Sequence, residues 1–454
     1  MKLKKIYICS KCGASHYKWQ GQCSECGQWN TLIEEVIEEK TKTARKKAIV
    51  DFSTQSYRLK DIKTEDAQKI ATDIEEFDRV LSGGVVKGQI ILIGGVPGIG
   101  KSTLVLEIAD KLASKDMEVF YVSGEESPQQ ISLRAKRIGI SNNKITIASQ
   151  TDISEIIKEV NIINPQILII DSIQTLYHPQ FPSSSSSPIQ IRECTSELIK
   201  IAKTKNITVF ILGHVTKEGE LAGPKLLEHM VDTVLYFESE KSGEYRILRT
   251  FKNRFGNIDE IGIFEMTEKG IISSNSYTKQ MIDDAAISGK TYTAIYEGSR
   301  AMIIRVESLV SRSFYPYPKR IFSSIDSNYA QILLASIEKN TPLKFDSYDV
   351  YINIHSGFKT KDRSIDLSVC AGIISSIKDI LIDNQTAFIG EVGMLGQVYP
   401  SNYTSKRIIE LERNGFNKIF ISSRIRETIN SKVQIIKISD ISSLYKNLVE
   451  KAKI

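Results

Sequence analysis

Residues 95–102 read Gly-Val-Pro-Gly-Ile-Gly-Lys-Ser, and their flanks decide what the octapeptide means. The apolar run Gln89-Ile90-Ile91-Leu92-Ile93 precedes it, and a helical pattern starting at Lys101 places Leu104, Val105, Ile108 and Leu112 on one face. Together they form the phosphate-binding pattern G-x-x-x-x-G-K-[ST] in its strand-loop-helix setting. Glycines let successive backbone N–H groups curl around a phosphate chain, and the helix N-terminus behind them adds partial positive charge. The stretch Gly95, Val96, Pro97, Gly98, Ile99, Gly100, Lys101, Ser102 and Thr103 is therefore the expected nucleotide-binding segment. Within it, Lys101 is expected to reach the β- and γ-phosphates and Ser102 to hold Mg²⁺.

Outward from this loop, Val119–Val122 reads as a strand followed by SGEES, and Ile167–Ile170 as a strand ending in Asp171. Four apolar residues and an aspartate fit a buried parallel strand that presents a carboxylate at its C-terminal end, where open α/β sheets bind ligands. Asp171 is thus a second candidate for Mg²⁺, through direct or outer-sphere coordination. Phe181–Pro188 (FPSSSSSP) reads as a flexible loop, and the helix after it buries Ile191, Cys194, Leu198 and Ile201, making Cys194 a core thiol. A strand over Ile207–Leu212 leads to Gly213-His214, and further strands are expected at 233–238 and 245–251. The βαβα order predicts an α/β core with a mostly parallel sheet covered by helices.

The 454 residues suffice for two or three domains, and no apolar run approaches the ~18 residues of a membrane span. With no apolar core behind its basic N-terminus, the chain is expected to lack a signal peptide and to be cytoplasmic. The formal charge of +6 is uneven, because residues 1–50 carry ten Lys/Arg against five Glu. Any DNA-binding surface must therefore be a local patch.

Of six cysteines, Cys9, Cys12, Cys23 and Cys26 form two C-x-x-C knuckles, whose four thiolates can close a tetrahedral Zn²⁺ site. A catalytic zinc would need an open position that four thiolates do not leave. His16 is a competing ligand or a surface histidine, and Trp19 and Trp29 are expected to pack the module, an exposed indole able to stack a base being the alternative. The expected divisions are a zinc module at 1–37, a linker at 38–56, the nucleotide-binding domain at 57–274 and an α+β domain at 275–454. In the last, strand patterns at 292–296, 301–306, 349–354, 386–390 and 418–421 alternate with helices near 327–338, 366–379 and 404–414.

The strings CSKCG, WQGQCSECGQWNTLIEE, GGVPGIGKSTL, YVSGEES, IIDSIQTLY, GHVTKEGELAGPKLLEHMVDTVLYFE and KNRFG, in this order, closely resemble the bacterial RadA (Sms) family of DNA-repair proteins. The resemblance spans essentially the whole chain. It implies a RecA-like P-loop ATPase core between an N-terminal zinc ribbon and a C-terminal Lon-protease-like domain. It further implies ATP hydrolysis in response to DNA, branch migration of recombination intermediates, a homo-hexameric ring, and partners that include single-stranded and branched DNA and RecA. Carried onto this sequence, Glu125 takes the position of the catalytic glutamate, with Glu126 as its rival, and His214 that of a sensor of nucleotide state. Residues 215–226 correspond to a DNA loop with Lys217 and Lys225 as phosphate contacts, and Lys252 and Arg254 of KNRFG to cations offered to a neighbouring subunit's γ-phosphate. FPSSSSSP departs from the family's glycine-containing second DNA loop. A Lon protease needs a serine activated by a lysine, but ungapped alignment places Ile365 and Ser405 at those positions, with Ser364 and Lys406 one residue away. The C-terminal domain is accordingly expected to be a DNA-binding and assembly scaffold.

Overall fold

The computed structural model describes residues 3–9, 15–25, 27–38, 68–214, 226–239, 245–258, 260–268, 270–273, 282, 285–315, 317–355 and 361–450. The chain divides into two compact units, Met1–Ser274 and Asn275–Ile454.

In the first unit, β1 (Leu3–Cys9), β2 (Ser15–His16) and β3 (Leu32–Glu38) make a small antiparallel sheet in the order β2-β1-β3. Among the described residues Trp19 and Trp29 stand 60% and 68% exposed, so they are not the buried packing centre expected of them, although the Trp29 ring lies beside Gly21. Among the described residues, no second layer covers the three-stranded ribbon to bury an indole.

The nine-stranded sheet of this unit uses β4 (Ile90–Gly95), β5 (Val119–Ser123), β6 (Ile145–Ser149), β7 (Ile167–Asp171) and β8 (Thr208–His214). It is completed by β9 (Thr233–Ser239), β10 (Tyr245–Asn253), β11 (Ile261–Thr267) and β12 (Gly270–Ser273). The order is β12-β11-β10-β9-β4-β8-β7-β5-β6, parallel from β9 to β6 and antiparallel from β9 to β12. Because β4, β5 and β7 are buried along their whole length, they read as continuous apolar runs rather than as alternations. Two cores cover the faces. One sets the helix Lys101–Ala113 against Ile91, Ile93 and Tyr121, and the other sets the helices Ile153–Ile163 and Pro188–Lys205 against Leu92, Phe120 and Ile170. Each such buried Ile, Leu or Phe contributes roughly 1.5–3 kcal/mol relative to exposure. The strand order is that of a RecA-like P-loop ATPase core.

The serine-rich segment is held from inside. Buried Gln190 donates to the carbonyls of Phe181 and Ser183 and accepts from His178 N, while Ser187 caps the helix that follows.

The second unit has β13 (Lys290–Glu297), β14 (Arg300–Arg312), β15 (Arg320–Ser323), β16 (Tyr348–His355), β17 (Thr386–Ile389), the short pair β18 (Glu391–Val392) and β19 (Val398–Tyr399), β20 (Lys418–Ser422) and β21 (Gln434–Ile438). Seven strands form one mixed sheet in the order β15-β16-β14-β13-β17-β20-β21. The helices Ser327–Asn340, Asp366–Lys378, Thr404–Arg413 and Ile441–Val449 complete the α+β arrangement. β15, the short pair β18 and β19, β21 and the last helix fall outside the segments expected from sequence.

Candidate nucleotide-hydrolysis site

The strands β5, β7, β8 and β4 are consecutive neighbours, so their C-terminal ends form one row. The register sets Gly95 opposite His214 and Ser123 opposite Asp171. SGEES, Asp171, His214 and the glycine loop, spread over residues 95–214, thereby meet at one edge.

At the glycine loop, a Cβ on Gly95 would lie 2.8 Å from Phe237 O, and Gly100 has φ of +111°, a conformation that other residues adopt at a cost. Gly100 caps the helix Lys101–Ala113 without a side-chain hydrogen bond, so the first-turn N–H groups retain the capacity to bind an anion. This cradle fits a phosphate chain. Val96, Pro97 and Gly98 are exposed at its rim, while Ile99 and Thr103 are buried.

Lys101 donates to Gly95 O at 2.8 Å and Val96 O at 3.1 Å, and its Nζ lies 3.3 Å from His214 Nδ1. Burial lowers its pKa, opposed by the charges of Asp171 and Glu125. An ammonium has only protons to give, so the His214 nitrogen facing it, Nδ1, is the acceptor and Nε2 the donor. Nε2 then donates to Glu125 Oε1 at 2.8 Å. Glu125 also accepts from the Ser172 hydroxyl. Burial pushes its pKa up, but the hydrogen bonds from Ser172 and His214 outweigh it and hold the carboxyl below its ordinary range. Lys101, His214 and Glu125 are thus one continuous chain, with the Glu125 carboxylate at its solvent-facing end.

Asp171 is buried at the end of β7 and accepts from Tyr121 Oη at 2.7 Å through Oδ2. Its carboxylate and the hydroxyl of Ser102, on the first turn of the helix, supply the hard oxygen donors that Mg²⁺ takes. Glu126 does other work. It pairs with Arg134 on the helix Pro128–Arg137, whose N-terminus is closed by the Ser127–Gln130 capping box.

The sequence also matches the family described as AAA domain over residues 54–220, the Rubredoxin metal binding domain over 7–34 and the Subunit ChlI of Mg-chelatase over 328–424. DNA repair protein RadA of Bacillus subtilis (strain 168) is 42% identical over 92% of this chain and 93% of its own. The RadA proteins of Campylobacter jejuni and Halalkalibacterium halodurans are 40% and 37% identical, covering 96% and 97% of this chain and 98% and 97% of theirs. The chain belongs to the RadA family of DNA repair proteins. A KaiC-like protein of Pyrococcus horikoshii aligns with 46% of this chain and 99% of its own at 21% identity, with a TM-score of 0.39.

In this RadA-family chain the KNRFG cations lie away from the row of strand ends. Lys252 on β10 stands opposite Val234, which stands opposite Leu92 near the start of β4, whereas the glycine loop follows the other end of β4. Lys252 Nζ donates to the carbonyls of Glu228, His229 and Val231 at 2.7, 3.1 and 2.8 Å, and burial lowers its pKa. Arg254 projects further, its side chain 58% exposed and Nη1 3.5 Å from Asp232 Oδ1. Lys217 and Lys225 lie outside the described residues, as do Cys12 and Cys26. Of the other two zinc-ligand candidates, Cys9 is buried at the end of β1, and Cys23 is buried with its Sγ 3.5 Å from His16 Nε2. Thiolate donors in two C-x-x-C pairs fit zinc by their chemistry. No helix among the described residues is long and apolar enough to cross a membrane.

In the C-terminal unit, Ser364 is fully buried, donates to Ala294 O at 3.2 Å and accepts from Arg407 Nη1 at 2.9 Å. Arg407 also binds Asp362 at 2.8 Å. Lys406 faces outward, 3.3 Å from Tyr296 Oη, while Ser405 donates to Glu427 and Ile365 is core. Ser364 is thus held by a guanidinium, which does not deprotonate in proteins and cannot serve as a base.

Sequence reasoning missed Tyr121 and Ser172. A tyrosine inside an otherwise apolar strand needs a hydroxyl partner, so Tyr121 carried a usable signal. Ser172 carried none.

Proposed function

We propose that this RadA-family chain is a DNA-dependent ATPase that drives branch migration of recombination intermediates as a homo-hexameric ring in the cytoplasm. The observation that carries the reading is the chain Lys101–His214–Glu125, built on adjoining strand ends beside an anion cradle. Residues Gly95–Thr103 bind ATP, Lys101 contacts the β- and γ-phosphates, and Glu125 orients and deprotonates the attacking water. Ser102 and Asp171 hold Mg²⁺, whose charge neutralises the phosphates. Because Nε2 of His214 donates to Glu125, a phosphate that draws Lys101 away from Nδ1 alters the hydrogen bonding of the catalytic carboxylate, which suits His214 to sensing nucleotide state.

Arg254 and Lys252 act on the next subunit's nucleotide. At about 3.3 Å per strand residue, the length of β4 separates them from their own glycine loop by more than 10 Å, which favours a contact in trans. Arg254 makes that contact, and Lys252 fixes the turn that presents it. Lys217 and Lys225 contact DNA phosphates, Cys9, Cys12, Cys23 and Cys26 bind structural zinc, and the divisions 1–37, 38–56, 57–274 and 275–454 are the working domains. The last domain is a scaffold, since the Ser364–Arg407 arrangement disfavours the ATP-dependent protease alternative.

The test is migration of a three-strand DNA junction, with ATP turnover followed in the same tubes. Wild-type protein should resolve the junction, whereas Lys101→Ala and Arg254→Ala should each fail, with turnover down by ~10³ for the finger variant. Mixing the two should restore part of the turnover, because a mixed interface pairs an intact loop with an intact finger. Normal turnover by Arg254→Ala alone removes the shared site, and no junction movement by wild type removes the branch-migration reading.

A further inference from the structure

The segment between β14 and β15 exposes more aromatic surface than a solvated turn requires. Phe314 is 95% exposed, Tyr317 88% and Tyr315 60%. Large apolar side chains grouped on a surface mark a binding site more often than a solubility compromise.

Two features bear on what binds there. Between Glu307 and Asp326 the chain has three cations, Arg312, Lys319 and Arg320, and no acid. Asp349 accepts the Lys319 N–H at the base at 2.7 Å, and exposed Asp346 follows Phe345 and precedes Ser347. Lys319 Nζ sits 4.7 Å above the Tyr315 ring, so charge and π-surface share one place.

The base of the segment is firmly tied. Ser313 N donates to Ser347 O at 2.8 Å, and the Ser313 hydroxyl accepts from Tyr315 N at 3.2 Å. Arg320 is used up within the unit, donating to the carbonyls of Lys319, Phe345 and Tyr348. Rings on a pre-set base lose little freedom when a ligand arrives.

We propose that Phe314, Tyr315 and Tyr317, with Lys319 and Arg312 beside them, form a base-stacking platform for single-stranded nucleic acid on the C-terminal unit. Unpaired bases stack on the rings while the cations follow the phosphates, a combination that is tolerant of sequence and sensitive to salt. The proposal rests on the DNA-directed reading above and locates a strand contact outside the ATPase core. A second copy of the chain is the rival occupant, because Leu309 and Ile321, also exposed, flank Tyr351 on the neighbouring strands. The acid-free run 308–325, with Arg312 and Lys319 close in sequence to the rings and Lys319 stacked on Tyr315, favours the polyanion.

The experiment uses the full chain and fluorescence anisotropy of two labelled probes of equal length, oligo(dT) and an abasic strand with the same phosphates. Wild type should bind oligo(dT) about tenfold or more tighter than the abasic strand. Phe314→Ala/Tyr317→Ala should lose about tenfold on oligo(dT) and nothing on the abasic strand, whereas Phe314→Trp/Tyr317→Trp should restore the preference. Both rings project into solvent, and circular-dichroism melting of each variant checks that the fold is kept. Equal binding of the two probes by wild type overturns the proposal, as does an alanine variant that keeps the preference. An alanine variant that keeps the preference but sediments as a smaller species assigns the surface to self-association. If wild type binds neither probe, the DNA-directed reading falls first; if it binds both but the variants change nothing, only the platform falls.

Discussion

Lys101 in the N-terminal unit and Arg407 in the C-terminal unit are both buried cations in the first turn of a helix, and both donate to carbonyls of the preceding chain. Lys101 goes on to His214 and from there to Glu125, a carboxylate more than a third exposed at the edge of a parallel sheet. Arg407 goes on to Ser364 and Asp362, which are enclosed. A lysine ammonium can exchange carbonyl partners for phosphate oxygens, whereas the guanidinium fork of Arg407 is committed to Asn402, Ala294, Ser364 and Asp362. A buried cation thus stands at an open strand end in one unit and is locked into a closed layer in the other.

The sharpest break in that comparison is Glu125→Gln, which keeps the shape and removes the proposed base. Turnover should fall by ~10²–10⁴ while ATP still binds, measured by steady-state hydrolysis alongside equilibrium binding of a fluorescent ATP analogue. Arg407→Ala should instead act on stability, costing about 3–5 kcal/mol because Asp362 and Ser364 lose a buried partner. Denaturant melts read that loss, and added unfolded protein should remain uncleaved in Arg407→Ala and in wild type alike. An Arg407→Ala chain as stable as wild type would contradict the architectural role.

A third prediction uses two carboxyls whose environments push in opposite directions. Glu125 lies below its ordinary range, whereas burial raises Asp366 from 3.8 to about 7 despite hydrogen bonds from Tyr329 and Val392. Between those two values folded Asp366 keeps a proton that the unfolded chain releases, so its contribution to stability falls as pH rises through the window and is level above about 7. Hydrogen-exchange protection of the helix Asp366–Lys378 should decline over that range, and Asp366→Asn should flatten the decline. The smallest effect belongs to Glu126→Gln, which weakens the Arg134 pair by about 1 kcal/mol or less and should leave turnover within a few-fold of wild type. A turnover loss in Glu126→Gln as large as that in Glu125→Gln would blur the division between the two acids.

The RecA-like core was legible because its signals are local: a glycine loop between an apolar run and a helical face, and an aspartate closing a strand. Tyr121 to Asp171 and Ser172 to Glu125 were not, because each pair is made by parallel register between strands about fifty residues apart. The tryptophans misled because the usual burial of indoles assumes a second layer, which no described residue supplies to the ribbon sheet. In the C-terminal unit, one-residue uncertainty in alignment left Ser364 and Lys406 open as a dyad. What separates them is the direction of two adjacent side chains on one helix turn, with Arg407 inward and Lys406 outward.

The most direct test of the account is the rate of ATP hydrolysis by the full chain with and without single-stranded DNA, repeated for Glu125→Gln. The account predicts that DNA stimulates wild type and that Glu125→Gln stays near background in both conditions while retaining bound nucleotide. Equal wild-type rates with and without DNA, or DNA-stimulated turnover persisting in Glu125→Gln, would contradict it.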